Sequence, residues 1–183
     1  MTFTDLVRPW APTITQAIAQ ARTQEDPFRF AALMLRESGG GQALGYFPKG
    51  EIDGWGDGGN AYGLFQIDKR FHAKFLASPE AKTAVGQAVY ALGLLCSNRR
   101  LIRVVCHVPD LAERAAYAAY NCGVGNVFAA LRKGLDPDTY TTGHDYSTWI
   151  WKRAAALRQT APDLFTPVAP APGSTPPPSA PAT

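Results

Sequence analysis

The chain has 183 residues, 46% of them hydrophobic and 18% charged, enough for one domain to bury a core without metal or disulfide staples. A formal charge of +3 and a pI near 8.8 suit an anionic polymer as partner without demanding one. The compact basic cluster Arg99, Arg100 and Arg103 has no interleaved aromatics, so it reads as a solvated helix face and nucleic acid is not expected; no apolar run reaches membrane-spanning length, so no membrane span is expected either.

The opening "MTFTDLVRPWAP" carries Asp5, Pro9 and Pro12 and lacks the apolar run of a signal peptide. A target outside the membrane would then be reached by host lysis, in a virion or through a dedicated secretion system. Pro12 starts a first helix with Ile14, Ala17, Ile18 and Ala21 on one face. Asp26 caps a second, with Pro27 in its first position and Glu37 near its last turn. From Gly39 to Gly63 the chain is glycine-rich and loses helical period, which predicts a long loop or short hairpins of the kind that usually serves function. Ser78-Pro79 opens a third helix through about Cys96, Asp110 a fourth through about Tyr120, and residues 125–132 form a shorter one closed by Gly134. The last helix runs from about His144 to Gln159, before Pro162.

Residues 166–183 hold seven prolines, no charge and a single large aliphatic residue, Val168. The expectation is a catalytic domain over residues 1–165 followed by a disordered Pro/Ala-rich tail. Cys96, Cys106 and Cys122 make an odd count with no secretory context, so reduced thiols are expected, a Cys96–Cys106 bridge being the alternative.

The stretch "LRESGGG" at 35–41 ends an apolar run with a carboxylate. An ordinary helical glutamate faces water, whereas Glu37 follows Phe30, Ala31, Ala32, Leu33, Met34 and Leu35, a setting in which desolvation raises the pKa and keeps a general acid protonated near neutrality. Downstream, "GWGDGGNAYGLFQIDKRFH" sets Asp57 and Asp68 among Trp55, Tyr62 and Phe71. Carboxylates among aromatics and glycines describe a carbohydrate cleft, where rings stack on sugars and carboxylates handle the glycosidic oxygen and the water. "GWGDGG" matches a nucleotide-loop pattern by letter but lacks the strand-then-helix context, and Asp53, Asp57 and Asn60 lack calcium-loop spacing. No metal or organic cofactor is expected. Ser38 with a histidine and aspartate, or Cys122 with His144, lacks a supporting nucleophile motif, and His72 and His144 read as structural.

"RES" at 36–38, the block at 54–72, "AAYNCGVGNV" at 118–127 and "TTGHDYSTWIWKRA" at 141–154 resemble, in order, the goose-type lysozymes, relatives of the soluble lytic transglycosylases. The resemblance spans roughly residues 30–155. It implies an all-α lysozyme-like domain with a small hairpin region beside the cleft. Carried over by position, it makes Glu37 the general acid and Asp57 and Asp68 the carboxylates that hold or activate water, with Asp68 the first choice of base. Inversion would then ask for carboxyl groups on the order of 6.5–9.5 Å apart across the scissile bond. Gln66, Tyr120 and Asn121 match segments lining the cleft, Tyr146 a tyrosine near the acid, and Trp55 and Tyr62 are added as sugar-binding aromatics.

The implied activity is a muramidase hydrolysing the β-1,4 bond between N-acetylmuramic acid and N-acetylglucosamine, acting as a monomer on the glycan strands of bacterial cell-wall peptidoglycan. The alternatives are a lytic transglycosylase, which leaves 1,6-anhydromuramic ends, and a non-catalytic wall-binding module. Two departures from the family are visible: "LGYFPKGEID" lengthens the segment between Glu37 and Asp57, and Cys122 stands where alanine is usual.

Overall fold

The computed structural model describes residues 1–44 and 54–166. The lengthened segment before Asp57 falls almost wholly on 45–53 and the Pro/Ala tail on 167–183, both outside the described residues.

Eight α-helices and a three-stranded antiparallel sheet of two-residue strands make up the described chain. Helix α1 (Phe3–Val7) starts from a capping box, Thr2 and Asp5 each satisfying the other's backbone N–H. Helix α2 is Ala11–Gln20, and α3 (Pro27–Ser38) opens as expected, with the Asp26 carboxylate accepting from Phe28 N and Pro27 at the first position. Strands β1 (Trp55–Gly56), β2 (Ala61–Tyr62) and β3 (Ile67–Asp68) pair in sequence order and lead directly into α4 (Lys69–Leu76). Then follow α5 (Ala84–Ile102), α6 (Pro109–Cys122), α7 (Val124–Arg132) and α8 (Tyr146–Thr160). No described helix is long and apolar enough to cross a membrane.

Three boundaries differ from the sequence reading, the simplest being that α5 runs past Cys96 to Ile102. Pro79 opens a short 3-10 turn, Pro79–Lys82, and not the long helix; the chain straightens at Thr83, whose hydroxyl accepts from Gly86 N at 3.0 Å and caps α5. Proline presets φ for any helical turn, so it marks a turn without saying how far it runs. Likewise α8 begins at Tyr146, because His144 has φ 56°, in the left-handed region that an α-helix excludes.

The core falls into two clusters. The larger joins α1, α2, α3, α5 and α8 around Phe30, Leu33, Met34, Leu92 and Ile150, all within 1% of full burial. The smaller joins the end of α5 to α6 and α7 through Ile102, Ala112, Ala115, Ala116, Ala118, Ala119 and Val127. Arg99 corrects the solvated-face reading of the basic cluster. Its guanidinium lies inside the fold, at 2.5 Å from buried Glu25 and 2.8 Å from Glu113, and the Tyr117 hydroxyl donates to Glu25 at 2.9 Å. Burying that charge is tolerable because both carboxylates compensate it. The three cysteines are free: Cys96 faces Thr23 from α5, whereas Cys106 packs in the smaller cluster, so no Cys96–Cys106 bridge forms.

The start of α8 is held from outside the helix. Asp145 gives no side-chain cap; instead Asp138, 1% exposed, accepts from Ser147 N (2.8 Å), Thr148 N (3.0 Å) and both hydroxyls (2.9 Å each), with Arg114 beside it. Burial pushes the Asp138 carboxyl up, but these donors outweigh it and hold it below the ordinary range. Asp138→Ala orphans these donors and is expected to cost about 3 kcal/mol. Thermal unfolding reads this as a fall of about 10 °C, and an unchanged midpoint would refute the capping role.

Candidate active site

The glycines after Glu37 have a steric purpose. Gly39, at φ 62°, ends α3 with its N–H on Leu35 O. A Cβ on Gly40 would lie 2.9 Å from the Leu6 carbonyl, and the Gly40 carbonyl accepts from the Trp10 indole at 2.9 Å, so the chain turns flush against α1. Ser38 Oγ donates to Leu64 O at 2.8 Å and accepts from Gly41 N at 3.0 Å. The end of α3 is thereby tied to the sheet region, and the Ser38 hydroxyl is committed to structure.

Glu37 is half-buried, with protein behind it and the cleft in front. Burial pushes its carboxyl up to about 7, against the opposing pull of a hydrogen bond donated by the Tyr146 hydroxyl and of the Arg36 charge. Tyr146, 2% exposed, stands in the first turn of α8, the turn that Asp138 caps. Arg36 is drawn aside by Asp145 at 2.8 Å and by the Thr142 carbonyl at 3.3 Å.

The facing carboxylates stand on the sheet. Asp57 follows β1 at φ 47° with its side chain 62% exposed; Asp68 ends β3 and caps α4 by accepting from Arg70 N at 2.8 Å. Arg70 lies between them. Its Nε reaches the two Asp68 oxygens at 2.9 and 3.0 Å, and its Nη2 reaches Asp68 Oδ2 at 2.5 Å and Asp57 Oδ2 at 3.2 Å. The hydrogen bonds and charge of Arg70 hold the Asp68 carboxyl below the usual range.

Glu37, Asp57, Gln66, Asp68, Tyr120 and Asn121 line one cleft of about 660 Å³. Gln66 reaches the wall from a backbone at φ 45° and donates to Gly63 O at 2.8 Å. The Tyr120 hydroxyl donates to Phe65 O at 2.8 Å, and Asn121 Oδ1 accepts from Thr142 N at 2.9 Å. Phe71, 79% exposed, stands on the rim. Trp55 and Tyr62 lie off the cleft wall: Tyr62 is 2% exposed, and Trp55, half-exposed, packs against it at a tilt with ring centres 4.9 Å apart. His144 is structural, its Nδ1 2.7 Å from Thr139 O. His72 hydrogen-bonds the Tyr90 hydroxyl through Nδ1 at 3.1 Å, in keeping with a structural part, and also lines the cleft. Cys122 also borders the cleft, its thiol pushed up to about 11 by burial, which keeps it protonated.

Sequence reasoning noted Arg70 only as one of two cations following Asp68, and did not see its reach to Asp57. The available signal was an arginine two residues beyond a helix N-cap aspartate, where its side chain can return to that carboxylate. Among the described residues no group of three or more His, Cys, Asp or Glu is placed to hold a metal ion.

The family model described as Lysozyme g matches residues 5–161. The chain belongs to the lysozyme g family. It is 32% identical over 142 residues to lysozyme g of Casuarius casuarius, covering 73% of this chain and 65% of that protein. Against lysozyme g of Gallus gallus it is 32% identical over 135 residues (73% and 57%), and against that of Cyprinus carpio 29% over 133 residues (73% and 65%). The chain thus spans less than two thirds of the length of these lysozyme g relatives. The mostly helical fold with one small sheet is the lysozyme-like architecture that the motifs implied.

Proposed function

We propose that this chain is a peptidoglycan muramidase that hydrolyses the β-1,4 bond between N-acetylmuramic acid and N-acetylglucosamine, with Glu37 as general acid and Asp57 and Asp68 as the water-handling pair. One observation carries the reading: a carboxyl raised to about 7 by burial shares a cleft with two carboxylates bridged by a cation. Environments that treat carboxyl groups so differently are what assign acid and base in glycoside cleavage.

In the step this supports, Glu37 delivers its proton to the glycosidic oxygen as the C1–O bond breaks. A water bonds to C1 and yields its proton to an aspartate, and Glu37 is reprotonated from solvent. Tyr146 holds Glu37 in place, while Gln66, Tyr120 and Asn121 contact the sugars. Tyr62 is buried and braces the sheet, and Trp55, packed beside it, is the only one of the two exposed to a long substrate. The catalytic unit runs to Phe165, since Leu164 is buried and Phe165 packs edge-on against Phe28 at 4.9 Å. It works as a monomer on wall glycan outside the membrane, and the Pro/Ala tail takes no part in the chemistry.

Mass spectrometry of fragments released from purified sacculi tests the reading. Reducing muramic acid ends are expected. Ends lighter by one water indicate attack by the muramic C6 hydroxyl and refute hydrolysis, and sacculus binding without soluble fragments indicates a wall-binding module.

A further inference from the structure

Asp57 and Asp68 occupy different elements, a hairpin turn and a helix cap, which the strand register sets on either side of Ala61. Their carboxylates are joined through Arg70. Among the described residues no other Lys, Arg or His lies within 4 Å of either carboxylate. The two ends of the bridge are unequal. Asp68 receives Arg70 Nε on both oxygens, Nη2 on Oδ2 and the Arg70 backbone N–H on Oδ1, so its acceptor positions are largely taken. Asp57 receives one contact, on Oδ2 at 3.2 Å, and its Oδ1 has no partner among the described residues.

We propose that Arg70 is a positioning residue that divides the labour of the two aspartates: it locks Asp68 into the α4 cap and draws Asp57 over the cleft with one oxygen free to take the proton of the attacking water. The assignment rests on the hydrolase reading and revises its first choice of base from Asp68 to Asp57. In the step, the water oxygen bonds to C1, its proton passes to Asp57 Oδ1, the C1–O4 bond breaks and O4 takes the proton of Glu37. A planar guanidinium presents its donors in a fixed fork, so Nε and Nη2 hold Asp68 while Nη2 also reaches Asp57; an ammonium lacks that fixed geometry. Other titratable groups facing this part of the cleft are Glu37 from α3, His72 from α4 and Tyr120 and Cys122 from α6, with Tyr90 of α5 behind His72 and Lys69 turned onto the Trp55 ring. Burial holds His72 below its ordinary value, so its titration is removed from the comparison by substitution.

The test compares Arg70→Ala, Arg70→Lys, Asp57→Asn and Asp68→Asn in the full chain, using kcat, KM, the pH profile and the ratio of reducing to anhydro ends. Arg70→Ala is expected to lower kcat about 10- to 100-fold with KM within about threefold. It should also move the acid limb of the profile upward as the Asp68 carboxyl loses the cation that holds it down, and raise the share of anhydro ends. Arg70→Lys restores the acid limb but only part of kcat. Asp57→Asn loses more hydrolysis than Asp68→Asn. The acid-limb comparison is repeated in a His72→Gln background to remove the imidazole. A loss confined to KM, an unmoved acid limb together with an unmoved product ratio, or a larger loss in Asp68→Asn overturns the assignment. Wild-type enzyme that gives only anhydro ends refutes the hydrolase reading itself, whereas reducing ends from wild type with an unchanged Arg70→Ala profile refute only the role of Arg70.

Discussion

Replacing Glu37 with glutamine is expected to slow wall clearance about 1,000-fold or more while making the protein more resistant to heat above neutral pH. The amide keeps the shape of the side chain and still accepts from the Tyr146 hydroxyl, but it has no proton to give. The stability gain follows from linkage. The folded carboxyl titrates at about 7 against an ordinary 4.5, so between those values the native state holds a proton that the unfolded chain has released. Wild-type stability therefore falls as pH rises across that window, and above 7 the deficit is complete, on the order of 3 kcal/mol. Glutamine carries no charge and escapes it. Melting curves at pH 4 and pH 8 should show near-equal proteins in acid and a variant higher by several degrees in base. Clearance near the wild-type rate would remove Glu37 from the chemistry, and equal melting at both pH values would show that its carboxyl is not desolvated.

The second large effect is qualitative. Asp57→Asn combined with Asp68→Asn should depress hydrolysis by about 100- to 10,000-fold, because nothing is left to take the proton of the water. Glu37 still protonates the leaving oxygen, so the substrate's own C6 hydroxyl can attack C1 and return its proton to the Glu37 carboxylate. The double variant should thus yield a small flux of 1,6-anhydro product in place of reducing ends. Reducing ends released near the wild-type rate would show that both aspartates merely bind sugar or brace the sheet.

The parts legible in the sequence were those decided locally. The Asp26-Pro27 start of α3, the unbroken apolar run before Glu37 and the left-handed stop at Gly39 each follow from neighbours within a turn. The sequence reading met α1 as a test for a leader and passed over its capping box, although Thr2 and Asp5 are spaced for one. What escaped depends on contacts between distant segments. Arg99 looked solvated because its compensating partners, Glu25 and Glu113, are 74 and 14 residues away. The α8 cap was hidden because Asp138 lies in a different turn from the helix it caps, and Arg70 because its reach to Asp57 exists only once the hairpin has folded. Tyr62 and Trp55 were legible as aromatics but not by side, since strands this short carry too little alternation to reveal which face meets the cleft.

Helix α6 is walled in on nearly every side. Tyr117 points into the larger cluster, while Ala112, Ala115, Ala116, Ala118 and Ala119 pack into the smaller, and the same helix ends in Tyr120 and Asn121 on the cleft. Towards the smaller cluster the packing rests largely on alanine methyl groups, so the position of the cleft wall is gauged from behind by the smallest side chain that still excludes water. Enlarging any of these alanines would shift α6 as a rigid rod and change the gap between Asn121 and Glu37 without touching a sugar-facing atom. The width of the cleft is then a property of a helix interface as much as of the residues that line it, and a change in what the cleft admits could arise there without altering its wall.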